Sequence, residues 1–397
     1  MKKTNERQLP ELDYFPRLVD LKALLKEKSY FLFGPRQTGK SSLIAHSLKE
    51  ARVYNLLDNA LFLDFNRNLR RLTEELNATG ASALASGTRS PSVVVIDEIQ
   101  RLPDLLNEVH RLIEERGVRF LLTGSSARKL RHGGVNLLGG RARTQYFHPF
   151  IVKELGRHFD LKRALNSGLI PSIYLSSDSN ADLEAYTGNY LQQEIVAEGA
   201  TRNIPAFSRF LKVSALCNAT IVNFTNVAND AQVPRTTVYE YFEILKDTLI
   251  IRELPAFKKG KQRKPICSSK YYFFDTGVVR QLQGRGVLSE GTPEFGQAFE
   301  TFLMHELTAY SDYKRPVFLS FWRSTSGYEV DFIIDEHTAI ESKAKFVITP
   351  DDLRSLEAIA DEHHFKRLVC VCLEKRPRKI GKIEIVPYRD FLEELWG

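Results

Sequence analysis

The stretch SYFLFGPRQTGKSSLIAHSLKEA, residues 29–51, governs how the rest of the chain reads. YFLF has the character of a buried strand and SSLIAHSLKEA that of a helix. Between them stands Gly34-x-x-x-x-Gly39-Lys40-Ser41. Each residue type there has a job on a phosphate chain. Glycine lets the main chain curl, so the loop Gly34, Pro35, Arg36, Gln37, Thr38 and Gly39 turns its N–H groups toward phosphate oxygens. Lys40 reaches the β- and γ-phosphates and Ser41 offers a hydroxyl to Mg²⁺. The helix that follows, with Ser42 in its first turn, points its positive end at the anion. Strand, loop and helix in that order form the context the motif needs, so ATP with Mg²⁺ is the expected ligand.

Two later strands extend this reading. PSVVVIDEIQRL (91–102) is a continuous β-branched run, as a strand covered on both faces of a parallel sheet requires. It ends in Asp97 and Glu98, at the strand end where α/β proteins bind ligands. Asp97 suits the Mg²⁺ shell and Glu98 the polarisation of an attacking water. Helix capping would account for either acid singly, but both follow the phosphate loop at the spacing of a βα excursion. VRFLLTGSSARKL (118–130) is a third apolar strand, whose Thr123 and Ser125 read as γ-phosphate sensors or as loop caps. Arg141 and Arg143 in LLGGRARTQYFHPF (137–150) read as surface arginines or as a finger acting on a neighbouring subunit's ATP.

A chain of 397 residues is long for one core, so two or three domains are expected. The net charge of +7 favours an anionic partner only mildly, and its distribution says more. KKGKQRK (258–264) and KRPRKIGK (375–382) concentrate it, as solvated loops or as phosphate contacts. The four cysteines lack zinc-ligand spacing, and Cys370 and Cys372 in RLVCVCL read as core. The N-terminus has no apolar signal region and no stretch approaches a membrane span, so a cytoplasmic setting without membrane contact is expected.

In the middle, residues 151–204 read as helical. PAFSRFLKVSALCN (205–218) reads as a helix with Phe207, Phe210, Leu211 and Leu216 inward. Residues 224–254 then read helix, turn, helix, strand, with Val238, Phe242 and Leu245 inward. In a DNA-binding winged helix the opening of the second of these helices enters the major groove, though such modules also bind proteins. Arg235, Thr237, Lys258, Lys259, Lys261, Arg263 and Lys264 are the candidate phosphate contacts. In YYFFDTGVVRQL (271–282), Asp275 reads as a helix N-cap.

EVDFIIDEHTAIESKAKF (329–346) reads as a hairpin in which Val330, Phe332 and Ile334 alternate. Asp331 interrupts the apolar run, and a carboxylate there needs a partner. Glu341 and Lys343 sit two apart, hence on one face of the second strand. A wet charged face would explain Glu341 and Lys343; a metal site explains Asp331 as well.

GPRQTGKSSL, VVVIDEIQRLPDLL, LLTGSSARKL and LLGGRARTQYFHPF together resemble the bacterial AAA-type ATP-binding proteins with a C-terminal domain of unknown function, which is similar to PD-(D/E)xK nucleases. The resemblance continues through GLIPSIY (168–174), YFFDTGV (272–278) and FWRSTSGYEVDFII (321–334); Ser41 stands where relatives often have Thr. It implies an α/β protein with a P-loop AAA-type ATPase core (1–150), a helical lid (151–204), a winged helix with basic loop (205–264) and a PD-(D/E)xK nuclease-like domain (265–397). It also places an acid at the Phe-Glu of FGQAFETFLMHELTAY (295–310), hence Glu300, with Glu306 second. Glu300, Asp331, Glu341 and Lys343 would then cleave DNA, with Mg²⁺ or Mn²⁺ on Asp331 and Glu341. A ring-like homo-oligomer would fit the habit of AAA-type sites to complete themselves between subunits. The rival expectation is an ATP-controlled switch whose C-terminal fold only binds nucleic acid or protein.

Overall fold

Apolar runs such as VVVID need cover on both faces, and the chain gives them the middle of a parallel sheet. The computed structural model describes residues 14–78, 93–126, 128, 130, 138–190, 203–258 and 268–397. Two compact units result, one made of Pro16–Pro149 with Asp247–Leu249 and the other of the remaining described chain.

The first unit contains α1 (Leu21–Glu27), β1 (Ser29–Phe33), α2 (Lys40–Ser47), β2 (Arg52–Asn55), α3 (Asn59–Arg67), α4 (Arg71–Ala78), β3 (Val93–Asp97), α5 (Leu105–Arg116), β4 (Arg119–Gly124) and β5 (Ala142–Tyr146). The strands lie in the order β2-β3-β4-β1-β5, every neighbouring pair parallel. The three apolar strands take the centre, and the polar RVYN and ARTQY take the edges. Phe31, Val94, Ile96, Phe120 and Leu122 share a core with Leu105, Val109 and Leu112 of α5. Because all five strands run one way, the loops after β1, β3 and β4 leave from one edge.

The second unit opens with α6 (Val152–Leu155), α7 (Leu161–Ser167), α8 (Pro171–Tyr174) and α9 (Ser179–Ala185). Then come α10 (Ile204–Leu216), β6 (Thr220–Ile221), α11 (Phe224–Ala231), α12 (Arg235–Asp247), β7 (Ile251–Leu254) and β8 (Lys270–Phe273). Three strands pair antiparallel in the order β6-β8-β7, so β8 belongs to this sheet although a division at 264/265 would separate it. Phe207, Phe210, Leu211, Val238, Phe242 and Leu245 pack together as the pattern requires. Leu216 is the exception at 57% exposure, because α10 ends there.

α13 (Thr276–Leu282) is capped by Asp275, whose carboxylate accepts from the N–H of Val278 (3.0 Å) and of Leu169 (2.6 Å). A Cβ on Gly277 would lie 2.4 Å from the Ser167 carbonyl oxygen, and one on Gly168 would lie 2.0 Å from Asp275 Oδ1. The start of GLIPSIY, Gly168 and Leu169, thus closes directly on the DTG of YFFDTGV.

The remainder is α14 (Pro293–Tyr313), β9 (Leu319–Arg323), β10 (Glu329–Ile334), β11 (Thr338–Lys343), α15 (Arg354–Glu362), β12 (Arg367–Cys372), β13 (Arg378–Ile380), β14 (Ile383–Pro387) and α16 (Tyr388–Trp396). Its strands form a mixed sheet in the order β13-β14-β12-β11-β10-β9. Phe321 of β9 donates to Pro255 and accepts from Phe257, which ties the segment after β7 to this sheet. The hairpin does not alternate strictly. A bulge against β9 falls between Val330 and Ile333, so these two share an apolar cluster with Trp322 and Cys370. Phe332 instead approaches Tyr272, ring centroids 6.1 Å apart. One extra residue beside Asp331 breaks the period of two. Among the described residues no helix is long and apolar enough to cross a membrane.

Candidate functional sites

The phosphate loop connects β1 to α2, and its backbone explains its glycines. Gly39 caps α2 at φ 93°. A Cβ on Gly34 would lie 2.2 Å from the Phe147 carbonyl oxygen, so only glycine fits beside β5's exit. Thr38 Oγ1 donates to the Pro35 carbonyl (2.8 Å), and Lys40 Nζ donates to the carbonyls of Gly34 (2.6 Å) and Pro35 (3.0 Å). The lysine thus lies buried against its own loop, while Ser41 and Ser42 are exposed. Arg17 braces the far side: its guanidinium donates to the carbonyls of Thr38 (2.6 Å) and His148 (2.7 Å) over the Phe147 ring.

β4 stands between β1 and β3, so Thr123 faces Asp97 across one strand spacing. Its hydroxyl donates to the Asp97 carboxylate and accepts from the Glu98 N–H at 3.4 Å. Glu98 has a left-handed backbone, φ 61°, a strained conformation of the kind found at functional sites. Gln100 Nε2 donates to Glu98 Oε2 (2.5 Å) and to Ser125 Oγ (3.3 Å). A Cβ on Gly124 would strike the Gln100 side chain at 2.4 Å, which accounts for glycine there. The edge therefore gathers Gly34–Ser42, Asp97, Glu98, Thr123 and Ser125.

It does not gather Arg141. Ala142 stands opposite Ser29 at the start of β1, so Arg141 lies at the other end of the sheet, ion-paired with Glu114. Arg143 is likewise paired with Glu27 at 2.7 Å. Both arginines therefore stand away from the chain's own phosphate loop.

In the second unit, α14, β10 and β11 bring Glu300, Asp331, Glu341 and Lys343 into one buried neighbourhood. Ser342 donates to Asp331 Oδ2 through its N–H (2.8 Å) and its hydroxyl (2.7 Å), locking that carboxylate across the hairpin. Lys343 Nζ donates to Glu341 Oε1 at 2.6 Å; Glu341 Oε2 is buried with no hydrogen-bond partner. Burial, and then the Asp331 charge, push the Glu341 carboxyl well above the usual carboxylate range.

β8 adds a residue that the sequence reading passed over. Lys270, its side chain 1% exposed, lies 3.1 Å from Glu300 Oε1 and 4.0 Å from Asp331 Oδ1, and also pairs with Glu329. Tyr272 donates to Glu300 Oε1 at 2.6 Å. Burial and the neighbouring Asp331 still raise the Glu300 carboxyl to about 7.

Glu306 belongs elsewhere. Its carboxylate accepts from the Val152 N–H (2.9 Å) and from Trp396 Nε1 (2.7 Å), tying α14 to α6 and α16. Among the described residues, no three His, Cys, Asp or Glu side chains form a group able to hold a metal ion. Asp331 and Glu341 are at most a two-carboxylate donor set.

Comparison with known proteins bears on the two units unequally. Residues 26–156 match a family model described as an AAA domain. The chain contains an AAA-type ATPase core. Residues 158–289 and 295–391 match two domains of unknown function, DUF8612 and DUF4143. Uncharacterized proteins of Mycobacterium tuberculosis and Mycobacterium bovis are each 26% identical over 360 residues, covering 88% of this chain and 77% of the relative. Among solved structures, the Aeropyrum pernix ORC1 protein in complex with DNA is 14% identical and covers 68% of this chain and 94% of that one, with a TM-score of 0.25. A Pyrococcus horikoshii signal transduction ATPase with numerous domains is also 14% identical, covering 76% of this chain and 46% of that one, at 0.24. At these TM-scores neither likeness bears on the fold.

The donors of the ATPase core fit ATP with Mg²⁺: a hydroxyl at Ser41, a carboxylate at Asp97, and a lysine, Lys40, where the phosphate loop enters α2. Of the candidate nucleic-acid contacts, Arg235 and Lys258 are exposed and Thr237 is half-buried. Arg235 donates to Tyr239 Oη at 2.9 Å. Lys259, Lys261, Arg263 and Lys264 lie outside the described residues. Arg17 and Gln100 carry no motif and could not be found from spacing. Lys270 left a trace, a lysine two places before Tyr272 in an aromatic strand, where both must share a face.

Proposed function

We propose that ATP turnover at the AAA-type core controls metal-dependent hydrolysis of nucleic-acid phosphodiesters at Asp331, Glu341 and Lys343. The observation that carries this reading is the buried, unpartnered Glu341 Oε2, between a paired lysine and the Asp331 carboxylate. An acid oxygen without a partner in such a place is met by a proton or by a cation, and a divalent ion would displace the proton.

At the core, Lys40 would leave its loop carbonyls for the β- and γ-phosphates. Thr123 holds Asp97 in place, and Gln100 aims Glu98 at the attacking water. Mg²⁺, on Ser41 and Asp97 at the core and on Asp331 and Glu341 in the tail, would offset phosphate charge and make a bound water more acidic. Lys343 would orient that water and balance charge developing on the phosphorus oxygens.

The order helix, strand, helix, helix, strand, strand from α10 to β8 supports reading this region as a winged helix. Arg235, Thr237 and the basic run from Lys258 would then contact DNA phosphates. Arg141 can serve a neighbouring subunit only by leaving Glu114.

The test is cleavage of labelled single- and double-stranded DNA and RNA with Mg²⁺ or Mn²⁺, with and without ATP, by the full chain and by Lys343→Ala and Lys40→Ala. Loss in Lys343→Ala is expected, and the Lys40→Ala lane reports whether ATP gates cleavage. No cleavage by folded, ATP-hydrolysing protein would overturn the reading. One observation favours a second reading, a binding switch: Lys270 already supplies a cation inside the acidic cluster.

A further inference from the structure

Four carboxylates surround the tail site: Glu300, Glu329, Asp331 and Glu341. Three cations face them. Lys270 touches Glu300 and Glu329 and lies 4.0 Å from Asp331. Arg323 lies 3.1 Å from Glu329 Oε2, and Lys343 lies 2.6 Å from Glu341 Oε1. The local balance with all seven groups charged is one negative charge. A single divalent ion would reverse it by one, which a phosphodiester could then cancel; a second would leave three positive charges in a buried place.

The four acids are not equally satisfied. Glu300 and Glu329 share Lys270, whereas the Glu341 side chain, 5% exposed, keeps one oxygen with no partner. Lys270 is also held from behind, its ammonium 5.3 Å from the Phe321 ring centroid.

We propose that Lys270 is a built-in cation that takes the place of a metal ion on the Glu300–Glu329 side, limiting the site to at most one divalent ion on the Asp331–Glu341 side. This rests on the metal-site reading of the hairpin and adds a positioning residue from β8. It makes the three-stranded sheet part of the site: a shift of β8 would move the charge that sets metal occupancy.

The experiment is a Mn²⁺ titration of the nucleotide-free full chain, followed by electron paramagnetic resonance and calorimetry. Asp331→Asn, Lys270→Met, Glu300→Gln and the charge-balanced Lys270→Met/Glu300→Gln run beside the wild type, with thermal melts to establish folding. The expected result is one Mn²⁺ per chain, lost in Asp331→Asn. Lys270→Met should gain a second ion or about tenfold in affinity, and removing Glu300's charge should reverse the gain. Binding by Lys270→Met with none by the wild type would support the built-in cation and overturn the cleavage reading in favour of the switch. Equal stoichiometry and affinity in wild type and Lys270→Met would overturn the built-in cation and leave the cleavage reading standing. Absence of Mn²⁺ from all folded variants would overturn both. If Lys270→Met alone fails to fold, the double variant decides: Mn²⁺ behaviour unlike that of Glu300→Gln supports the proposal, and identical behaviour overturns it.

Discussion

The ATPase core and the acidic site handle charge in opposite ways. At the core, the proposed recognition lies largely in the main chain of one uninterrupted stretch, Gly34 to Ser42, and side chains such as Thr38 and Arg17 brace that backbone. In the second unit the charges are side chains alone, drawn from β8, α14, β9, β10 and β11, and they pair with one another before any ligand arrives, save for Glu341 Oε2. A backbone cradle is fixed by glycine geometry and tolerates little change at a few positions. A side-chain cluster is fixed by charge balance, so exchanging one member alters all the others.

The sharpest way to break this comparison is to show that the two sites are one. Lys40→Ala should lower ATP hydrolysis by roughly 100-fold or more, since it removes the lysine proposed to leave its loop carbonyls for the β- and γ-phosphates. Mn²⁺ binding by the nucleotide-free chain should stay as in wild type. A parallel loss of Mn²⁺ would mean that the ion sits at the core and not on the hairpin.

The reciprocal variant is Asp331→Asn. Mn²⁺ binding should be lost, while ATP hydrolysis without nucleic acid remains at the wild-type rate. Ser342 donates twice to Oδ2, so an asparagine amide can keep that contact with its oxygen and the hairpin should stay folded. A fall in ATP hydrolysis would show that the hairpin feeds back on the core even without a substrate.

These differences also explain what the sequence revealed. The core was legible because strand, loop and helix are contiguous, and because parallel order brings Asp97 and Thr123 to the same edge as Gly34. Gln100 and Arg17 were not, since their roles depend on contacts with Ser125, Glu98 and Thr38 that no local pattern announces. In the tail, Asp331, Glu341 and Lys343 were legible from a hairpin, but the bulge at Asp331 was not, and alternation misplaced Phe332 against Val330. Lys270 escaped because it lies in a separate sheet, 61 residues before Asp331 in the chain. For Arg141, β5's register adds only that it lies at the sheet end away from the chain's own phosphate loop.

A smaller effect sharpens the account of the core. Thr123 lies between the two acids, donating to Asp97 and accepting from the Glu98 N–H. Thr123→Val keeps the shape and removes both bonds, so kcat for ATP should fall about tenfold, the size expected for a buried hydrogen bond to a charged group. Thr123→Ser should restore most of the rate. An unchanged rate in the valine variant would assign Thr123 to packing and leave Asp97 to be held by its ligands alone.

The mildest prediction separates two carboxylates on the same helix, Glu300 inside the cluster and Glu306 outside it. Glu306 is buried, and that burial raises its carboxyl to about 8 despite the N–H donors of Val152 and Trp396. A folded pKa above the ordinary 4.5 means that the folded state holds a proton which the unfolded chain releases. This contribution to stability is complete below about pH 4.5 and declines as pH rises toward 8, by at most roughly 1.4 kcal/mol per pH unit. Glu306→Gln cannot titrate, so its melting temperature should lack this slope. The difference between wild type and Glu306→Gln should shrink by on the order of a few degrees between pH 5 and pH 8, with Mn²⁺ binding unaffected. Scanning calorimetry at three pH values would measure it. A difference that widens with pH would show the two donors holding Glu306 as a carboxylate, and the contrast with Glu300 would then lie in its partners and not in its proton.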